Sequence, residues 1–463
     1  MKKCSLSEKI GYGFGDMASS MFWKVFSYYL PFFYSNIFGL SLTDAGVILL
    51  VTRIWDAVSD PMMGVIADRT KTRWGKYRPY LLWMAPFFSV CGILVFATPN
   101  FDYAAKLVWA YTTYLLMMTV YTAINVPYGA MLGVMTDDSR EKTVFSSFRM
   151  FFAYGGSFVA MFFWEPLTKM LGGYQSSEGW FWAMFVIALC CFVLFLLCFS
   201  LTREHIHTVS SVSVGNDFKA LIHNRPWWIL VVAALSFNLF CTVRGATVAY
   251  YFNDIIGNSA VLVFGAVMLP FYAGLFLSVG EVSNMLGVAA TVPVAGRFGK
   301  KTSFIMVNAL LVVLSTAFYF VPSTPAGYWV MLIMQVFISI LTGIMSPLIW
   351  SMYADVSDYA EHRYHTASTG LIFSSSSMAQ KFGSAIGGWA TLTFLGSYGY
   401  ITDAGVLASG AAQPESALVC LRSLMSFVPA GVSLIAIVIV HFYPLTTRRM
   451  ALIAEELRAE RKG

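Results

Sequence analysis

Charged side chains are scarce in this chain. Asp, Glu, Lys and Arg make up 12% of its 463 residues, about half the share of a soluble globular domain, which runs near 25%. With 58% of residues hydrophobic and 16% aromatic, the chain reads as an integral membrane protein. The ten-residue alternating segments of a membrane β-barrel are also missing. The seven cysteines (Cys4, Cys91, Cys190, Cys191, Cys198, Cys241 and Cys420) show neither metal-ligand spacing nor a disulfide framework. They read as small core hydrophobes. No His-Glu-x-x-His motif suggests a metalloenzyme, and no Gly-x-x-x-x-Gly-Lys-Ser/Thr loop or long soluble stretch offers ATP chemistry. Any uphill movement must then draw on an ion gradient, and no cofactor is expected beyond a coupling ion. The six histidines fall in loops or, for His441, at the end of the last apolar segment, which argues against a histidine proton relay. The start is polar through Lys9, unlike a cleavable signal peptide. The net charge of +6 sits in short loops, so nucleic acid is not an expected partner.

What the chain has instead is a series of long apolar runs, each near the roughly 20 residues a membrane helix needs. Twelve spans are expected, at 10–38, 44–67, 79–98, 105–135, 143–171, 179–201, 226–256, 274–296, 302–322, 327–352, 367–396 and 416–443. The eighth is the least regular: 258–295 is too long for one span, and Pro270 and Pro293 interrupt it, which suggests a bent or partly re-entrant stretch. Most Lys and Arg residues lie in loops on the side of the N-terminus, such as Arg69–Arg78 and Arg297–Lys301. The positive-inside rule then puts both termini in the cytoplasm, as an even span count also requires. The organisation reads as an N-terminal six-helix bundle (1–201), a cytoplasmic middle loop (202–225), a C-terminal six-helix bundle (226–443) and a charged cytoplasmic tail (444–463). Gly64–Lys76 after span two is echoed weakly by Pro293–Lys301 after span eight. Repeated halves with polar residues near the midplane are characteristic of secondary transporters.

The ionisable residues inside the spans are few, and among them are Asp16, Lys24, Arg53, Asp56, Asp60, Arg149, Arg244, Glu281, Lys381 and Arg422. Asp56 and Asp60 are one helical turn apart, so both carboxylates leave the same face of span two. A carboxylate near the bilayer centre costs roughly 2.5–3.5 kcal/mol even on insertion scales. Arg53 could neutralise Asp56, which leaves Asp60 and the adjacent Ser59 hydroxyl. Carboxylates with a hydroxyl make a hard-oxygen site suited to Na⁺, with Asp56 and Asp60 as the ion ligands. A proton shared by the pair is the alternative. Asp16, Ser20 and Lys24 form a polar line at i, i+4, i+8 down span one. Span four carries Tyr121, Thr122 and Asn125, with Thr122 and Asn125 on one face, just before Pro127. Lys381 on span eleven needs an anion, and Trp350 on span ten could stack on a sugar ring or simply pack.

These residues carry a resemblance over essentially the whole chain. Gly11-Tyr-Gly-Phe-Gly-Asp16, Arg53-Ile-Trp-Asp56-Ala-Val-Ser-Asp60-Pro61, Asp68-Arg69…Arg73-Trp74-Gly75-Lys76-Tyr-Arg78-Pro79, Tyr121-Thr122…Asn125-Val-Pro127-Tyr128, Asp355-Val-Ser-Asp358 and Phe442-Tyr-Pro resemble the glycoside–pentoside–hexuronide:cation symporters of the major facilitator superfamily. The resemblance implies an all-α fold of twelve transmembrane helices in two six-helix pseudo-repeat bundles, working by alternating access. It implies that Asp56 and Asp60 hold the coupling cation with Ser59 and Thr122. It implies a sugar site using spans one and four, Arg149 and Lys381. The melibiose carrier has Lys-Asp where this chain has Ser19-Ser20, and Asp where it has Asn125. Galactoside specificity therefore does not transfer, and the gain of Lys24 suggests an acidic sugar or a differently linked oligosaccharide.

The function expected is import of a sugar or glycoside by symport with Na⁺, with H⁺-coupled sugar symport as the alternative coupling. The candidate substrate residues are Ser20, Lys24, Tyr121, Asn125, Arg149, Trp350 and Lys381. The expected partners are the sugar, the coupling cation and the lipid bilayer of the cell (inner) membrane, with the protein acting as a monomer. A lysolipid importer is a rival within the same fold, and a sensor or scaffold without transport is a rival of another class. The short loops and the lack of a signalling domain argue against the last.

Overall fold

The computed structural model describes residues 5–136, 139–205, 223–257, 260–264, 267–364, 369–402 and 412–460. Twelve long helical stretches are found among them: Leu6–Tyr28, Leu42–Arg69, Arg78–Val95, Tyr103–Met135, Ser139–Leu171, Ser177–Leu201, Arg225–Tyr251, Ala273–Phe298, Lys300–Phe318, Pro325–Tyr364, Thr369–Ser397 and Glu415–His441, the last broken at Ser426. They match the twelve expected spans closely and are numbered as such below. Two ends differ. Span one stops at Tyr28 and continues as the short turns Leu30–Phe32 and Phe33–Ile37, because Pro31 has no N–H to continue the ladder. Span ten runs on to Tyr364, carrying the acidic Asp355–Glu361 segment as helix. The tail forms a helix, Thr447–Glu460. Cys4, most of the middle loop 202–225 and the last three residues of the tail lie outside the described residues.

Eight of the twelve are long and apolar enough to cross a membrane on length and composition alone. The other four are Leu6–Tyr28, Leu42–Arg69, Ser139–Leu171 and Thr369–Ser397, which carry Lys24, Asp56, Asp60, Arg149 and Lys381. Span six is an example of the apolar kind. Only a third of its most apolar stretch is buried within the protein, and Phe185, Leu189 and Val193 point outward, as a lipid-facing surface requires.

The bent stretch expected before span eight is instead a two-stranded antiparallel hairpin. Val261–Phe264 pairs with Val267–Pro270, and Val261 faces Pro270. Runs of four apolar, partly β-branched residues are too short for a span but suit a strand. Pro270 falls at the strand end, where its missing N–H disrupts nothing. Trp329 Nε1 donates to the Val263 carbonyl at 3.0 Å and ties the hairpin to span ten.

Contacts divide the chain into two compact units. The first comprises Met1–Ser210, Tyr272–Val282 and Leu392–Pro414, and the second comprises Ser211–Phe271, Ser283–Thr391 and Glu415–Gly463. In the first unit, span one packs along spans five and six, and span four packs along spans two and three. The glycines that open span one make this possible. A Cβ on Gly11, Gly13 or Gly15 would collide with Leu201, Phe152 or Tyr128 respectively. Beyond Tyr28, an aromatic cluster centred on Trp180 packs against Phe32, Phe33, Phe96 and Trp164. In the second unit, spans seven, nine and twelve pack around a core that includes Phe240, Phe304, Met352 and Tyr353.

The basic loop after span two is closed by an acid from far along the chain. Glu204 accepts from the backbone N–H groups of Lys76, Tyr77 and Arg78 at 2.7–2.8 Å. These are among the unpaired donors at the start of span three, and a carboxylate there also favours the helix dipole. Gly75 has φ +115°, and a Cβ on it would lie 2.5 Å from the Glu204 carboxyl carbon, so only glycine fits. Arg78 locks the other end by donating from Nη2 to the Phe199 carbonyl at 2.7 Å. The echo after span eight also places a left-handed glycine, Gly299 with φ +80°, at a helix start. There Lys300 pairs with Asp355 at 2.6 Å.

Asp68, in the same loop, accepts from the Tyr77 hydroxyl at 2.6 Å and from Lys76 at 3.0 Å. The Tyr77 hydrogen bond is the largest effect on its carboxyl; burial opposes it, and the Lys76 hydrogen bond and charge add to it, leaving the carboxyl below the ordinary value of 3.8. A depressed carboxyl contributes stability above its unfolded value and loses it as pH falls through the folded one. The melting-temperature advantage of the wild type over Asp68→Asn should therefore be present at neutral pH and shrink below pH 3.8. An advantage independent of pH would show that the carboxylate charge is not what these contacts use.

Candidate functional site

Spans two and four lie against each other inside the first unit. This packing brings Thr122 up to the two aspartates. Thr122 Oγ1 is 2.9 Å from Asp56 Oδ1 and 3.0 Å from Asp60 Oδ1. Ser59 Oγ lies 3.3 Å from Thr122 Oγ1 and 3.3 Å from the Asp56 carbonyl. Asp56 is 1% and Thr122 2% exposed. The four residues expected to hold the cation therefore converge from two helices on one buried spot.

A hydroxyl has a single hydrogen, so Thr122 can donate to only one carboxylate at a time. The two Oδ1 atoms are at most about 6 Å apart, so two negative charges there repel each other. Chemically the cluster offers only oxygen ligands, two of them anionic, which suits a small hard cation or a shared proton. Among the described residues no three His, Cys, Asp or Glu side chains converge as a metal cluster. The arrangement at Asp56 and Asp60 is a two-carboxylate site with hydroxyls, not a His/Cys centre.

The polar line on span one meets two acid–base pairs. Arg149 Nε of span five donates to Asp16 Oδ2 at 3.0 Å, and its guanidinium lies over the Tyr128 ring. Lys24 Nζ donates to Glu281 Oε1 at 2.5 Å and to the Tyr28 hydroxyl at 3.2 Å. Ser20, half-buried, is between them along the helix. The surplus positive charge suggested by Lys24 and Arg149 is thus matched by an acid at each position. This removes the electrostatic reason for expecting an acidic sugar.

Tyr121 stands beside Thr122 on span four and within electrostatic reach of Asp16, Arg53, Asp56 and Arg149. Its ring lies 5.4 Å from that of Trp23, and Asn125 Nδ2 donates back to the Tyr121 carbonyl at 3.1 Å. The Arg53 guanidinium sits 4.0 Å over Trp23, at a small apolar pocket also lined by Phe22, Phe26 and Tyr114. Arg53 thus stacks on an aromatic face. Trp23, Tyr28 and Glu281 lie against these residues, and sequence reasoning gave them no role there. Glu281 stood among the intramembrane charges, whereas nothing in the pattern distinguished Trp23 from packing aromatics. Trp350 and Lys381 belong to the second unit. Trp350 is half-buried against that unit's apolar core, with Tyr353 at 6.1 Å. Lys381 is half-buried on span eleven.

A family model for "MFS/sugar transport protein" matches residues 11–447. The chain belongs to this family. It is 32% identical over 455 residues to the inner membrane symporter YicJ of Escherichia coli (strain K12), covering 98% of this chain and 95% of that one. It is 32% identical over 402 residues to the isoprimeverose transporter of Lactiplantibacillus pentosus, covering 86% and 81%. Among solved structures, that of the nucleoside transporter NupG superposes with a TM-score of 0.70 at 12% identity, covering 95% of this chain and all of that one. At that identity the likeness speaks for the fold, the twelve-helix major facilitator architecture. As a member of the family, the chain is a membrane transporter and not an enzyme.

Proposed function

We propose that this transporter imports a sugar or glycoside together with Na⁺ by alternating access, with Asp56, Ser59, Asp60 and Thr122 as the cation ligands. The observation that carries the reading is the single Thr122 hydroxyl within 3.0 Å of two carboxylates. A cation at that point relieves the repulsion and joins span two to span four. The site's occupancy then biases the conformational equilibrium that the substrate also biases, which is what coupling requires. The symporter and sugar names borne by the relatives support the same reading. In the first unit, Ser20, Lys24, Tyr121, Asn125 and Arg149 are the substrate residues. Lys381 is assigned to substrate on the family resemblance, and Trp350 on the capacity of its indole to stack on a sugar ring. The distribution of Lys and Arg supports a multi-pass protein of the inner membrane with both termini cytoplasmic, and nothing in the assignment requires more than a monomer.

Sugar uptake into membrane vesicles at fixed pH, with and without Na⁺, tests the choice of ion. Uptake should be strongly stimulated by an inward Na⁺ gradient. Full uptake without Na⁺, abolished by collapsing the proton gradient, would assign the carboxylate pair to a proton instead.

A further inference from the structure

The Lys24–Glu281 pair has a property that a simple helix-to-helix tie does not need. Glu281 is 3% exposed. Its Oε1 takes the Lys24 ammonium at 2.5 Å, but its Oε2 is buried without a hydrogen-bond partner among the described residues. Leaving a buried carboxylate oxygen unmatched is costly, and such atoms in native proteins call for an explanation. Mechanical attachment is already provided. The first turns of span eight are held by Glu165, which accepts from Gly274 N–H at 3.0 Å, and by Tyr272, which donates to the Phe162 carbonyl at 3.1 Å. Lys24 in turn has three N–H donors, of which two are directed at Glu281 and Tyr28, and its side chain keeps 22% of its surface open. The pair therefore holds a buried acceptor without a partner among the described residues next to a partly exposed donor, with a phenol alongside and no net charge.

Neighbouring hydroxyls of a sugar both donate and accept, and match such a surface. A uronate carboxylate matches it poorly, because it meets the Glu281 oxygen as well as the lysine. We propose that Lys24, Tyr28 and Glu281 form a subsite for the hydroxyls of a neutral sugar, and that Glu281 sets a preference for neutral glycosides over uronides. Glu281 Oε2 accepts from one hydroxyl, and Lys24 donates to its neighbour. Ser20, one turn before Lys24, extends the same face toward the Asp16–Arg149 pair, also charge-matched, at about 12 Å along the helix from Lys24. The assignment deepens the sugar-symport reading and rests on it.

Binding to the purified full-length transporter in detergent tests it, using a panel of neutral disaccharides that includes isoprimeverose, methyl β-D-glucuronide as the anionic probe, and Na⁺. The wild type should bind a neutral member at least about tenfold more tightly than the glucuronide, and Glu281→Gln should lose about tenfold or more of that affinity, as a site built around substrate hydroxyls does. The neutral-to-uronide ratio should collapse in the same variant while Na⁺ affinity is kept. The double variant Lys24→Gln/Glu281→Gln carries no buried charge imbalance and covers the case in which the single variant does not fold. It should remain defective for the neutral sugar. Restored binding in the double variant, an unchanged ratio in Glu281→Gln, or a wild type that prefers the glucuronide overturns the subsite and leaves sugar symport standing. A wild type that binds none of the sugars overturns the transport reading and the subsite together.

Discussion

Asp56→Asn should abolish cation-driven sugar accumulation while leaving exchange of sugar down its own gradient. The asparagine keeps the shape of the side chain but removes one of the two charges that surround Thr122 Oγ1 at 2.9 and 3.0 Å. Its amide can satisfy the Thr122 hydroxyl directly, so the fold has little reason to change. The cation, however, loses an anionic ligand in a place where water cannot replace it, since Asp56 is 1% exposed. Breaking a buried charge contact of this kind costs about 3–5 kcal/mol, which corresponds to a hundredfold or greater loss of ion affinity at about 1.4 kcal/mol per tenfold. At ordinary Na⁺ concentrations the site would then be empty in every conformation, and an ion that does not bind cannot bias an equilibrium. Labelled-sugar uptake against a gradient, set beside counterflow in the same vesicles, separates the two effects. Thr122→Ala is the natural comparison: it removes a neutral ligand and should cost about 1–2 kcal/mol, as for a single hydrogen-bonding group, whereas Thr122→Ser should keep most of the affinity. Undiminished accumulation in Asp56→Asn would remove this pair from the coupling mechanism.

Glu204→Ala should lower thermal stability more than other substitutions in the loops of the first unit. One carboxylate there satisfies three successive backbone N–H groups, at 2.8, 2.7 and 2.8 Å. No other group in the described loop takes over these donors. Span three would start with its dipole uncompensated and its first turn partly unpaired. Because Glu204 is half-buried, water recovers part of the loss, and a net cost of about 2–4 kcal/mol follows from three charge-assisted bonds of that kind. The melting temperature in detergent, compared with that of Arg203→Ala next to it, is the readout. An equal midpoint for the two variants would mean that the loop is held by Arg78 and its contacts with Phe199.

The span pattern and the shared face of Asp56, Ser59 and Asp60 were legible in the sequence because both depend on short-range arithmetic. A run of about 20 apolar residues reads as a span whatever packs around it. Asp56, Ser59 and Asp60 share a face because helical geometry places them there. The contribution of Thr122 needed the resemblance, since it lies 62 residues from Asp60. The features that were not legible are pairings between distant segments. Lys24 and Glu281 are 257 positions apart, and Glu204 is 127 from Tyr77. For Lys24 and Glu281 the residue type gave a warning, a charge where burial disfavours it, but no rule of spacing gave the partner; Glu204, in a charged loop, gave none. That gap bears on the electrostatic reading: Lys24 counted without Glu281 makes the site more positive than the paired charges are. The hairpin at Val261–Pro270 was missed for a related reason, since a short apolar run with a proline fits a bent membrane segment as well as a strand.

The four helices too polar to qualify as spans on composition alone bear on biogenesis. Each central Asp, Lys or Arg raises the free energy of transfer from the translocon into lipid by about 2.5–3.5 kcal/mol, and span two carries Arg53, Asp56 and Asp60 within eight residues. Such a segment is a poor candidate for entering the bilayer alone. The Thr122 hydroxyl that donates to its aspartates belongs to a helix synthesised later, and the same holds for Lys24, whose acid is the much later Glu281. Spans one and two should therefore remain beside the translocon or other helices until those partners emerge, whereas span six can partition at once. Substitutions that neutralise Asp56 and Asp60 should then raise the yield of inserted protein.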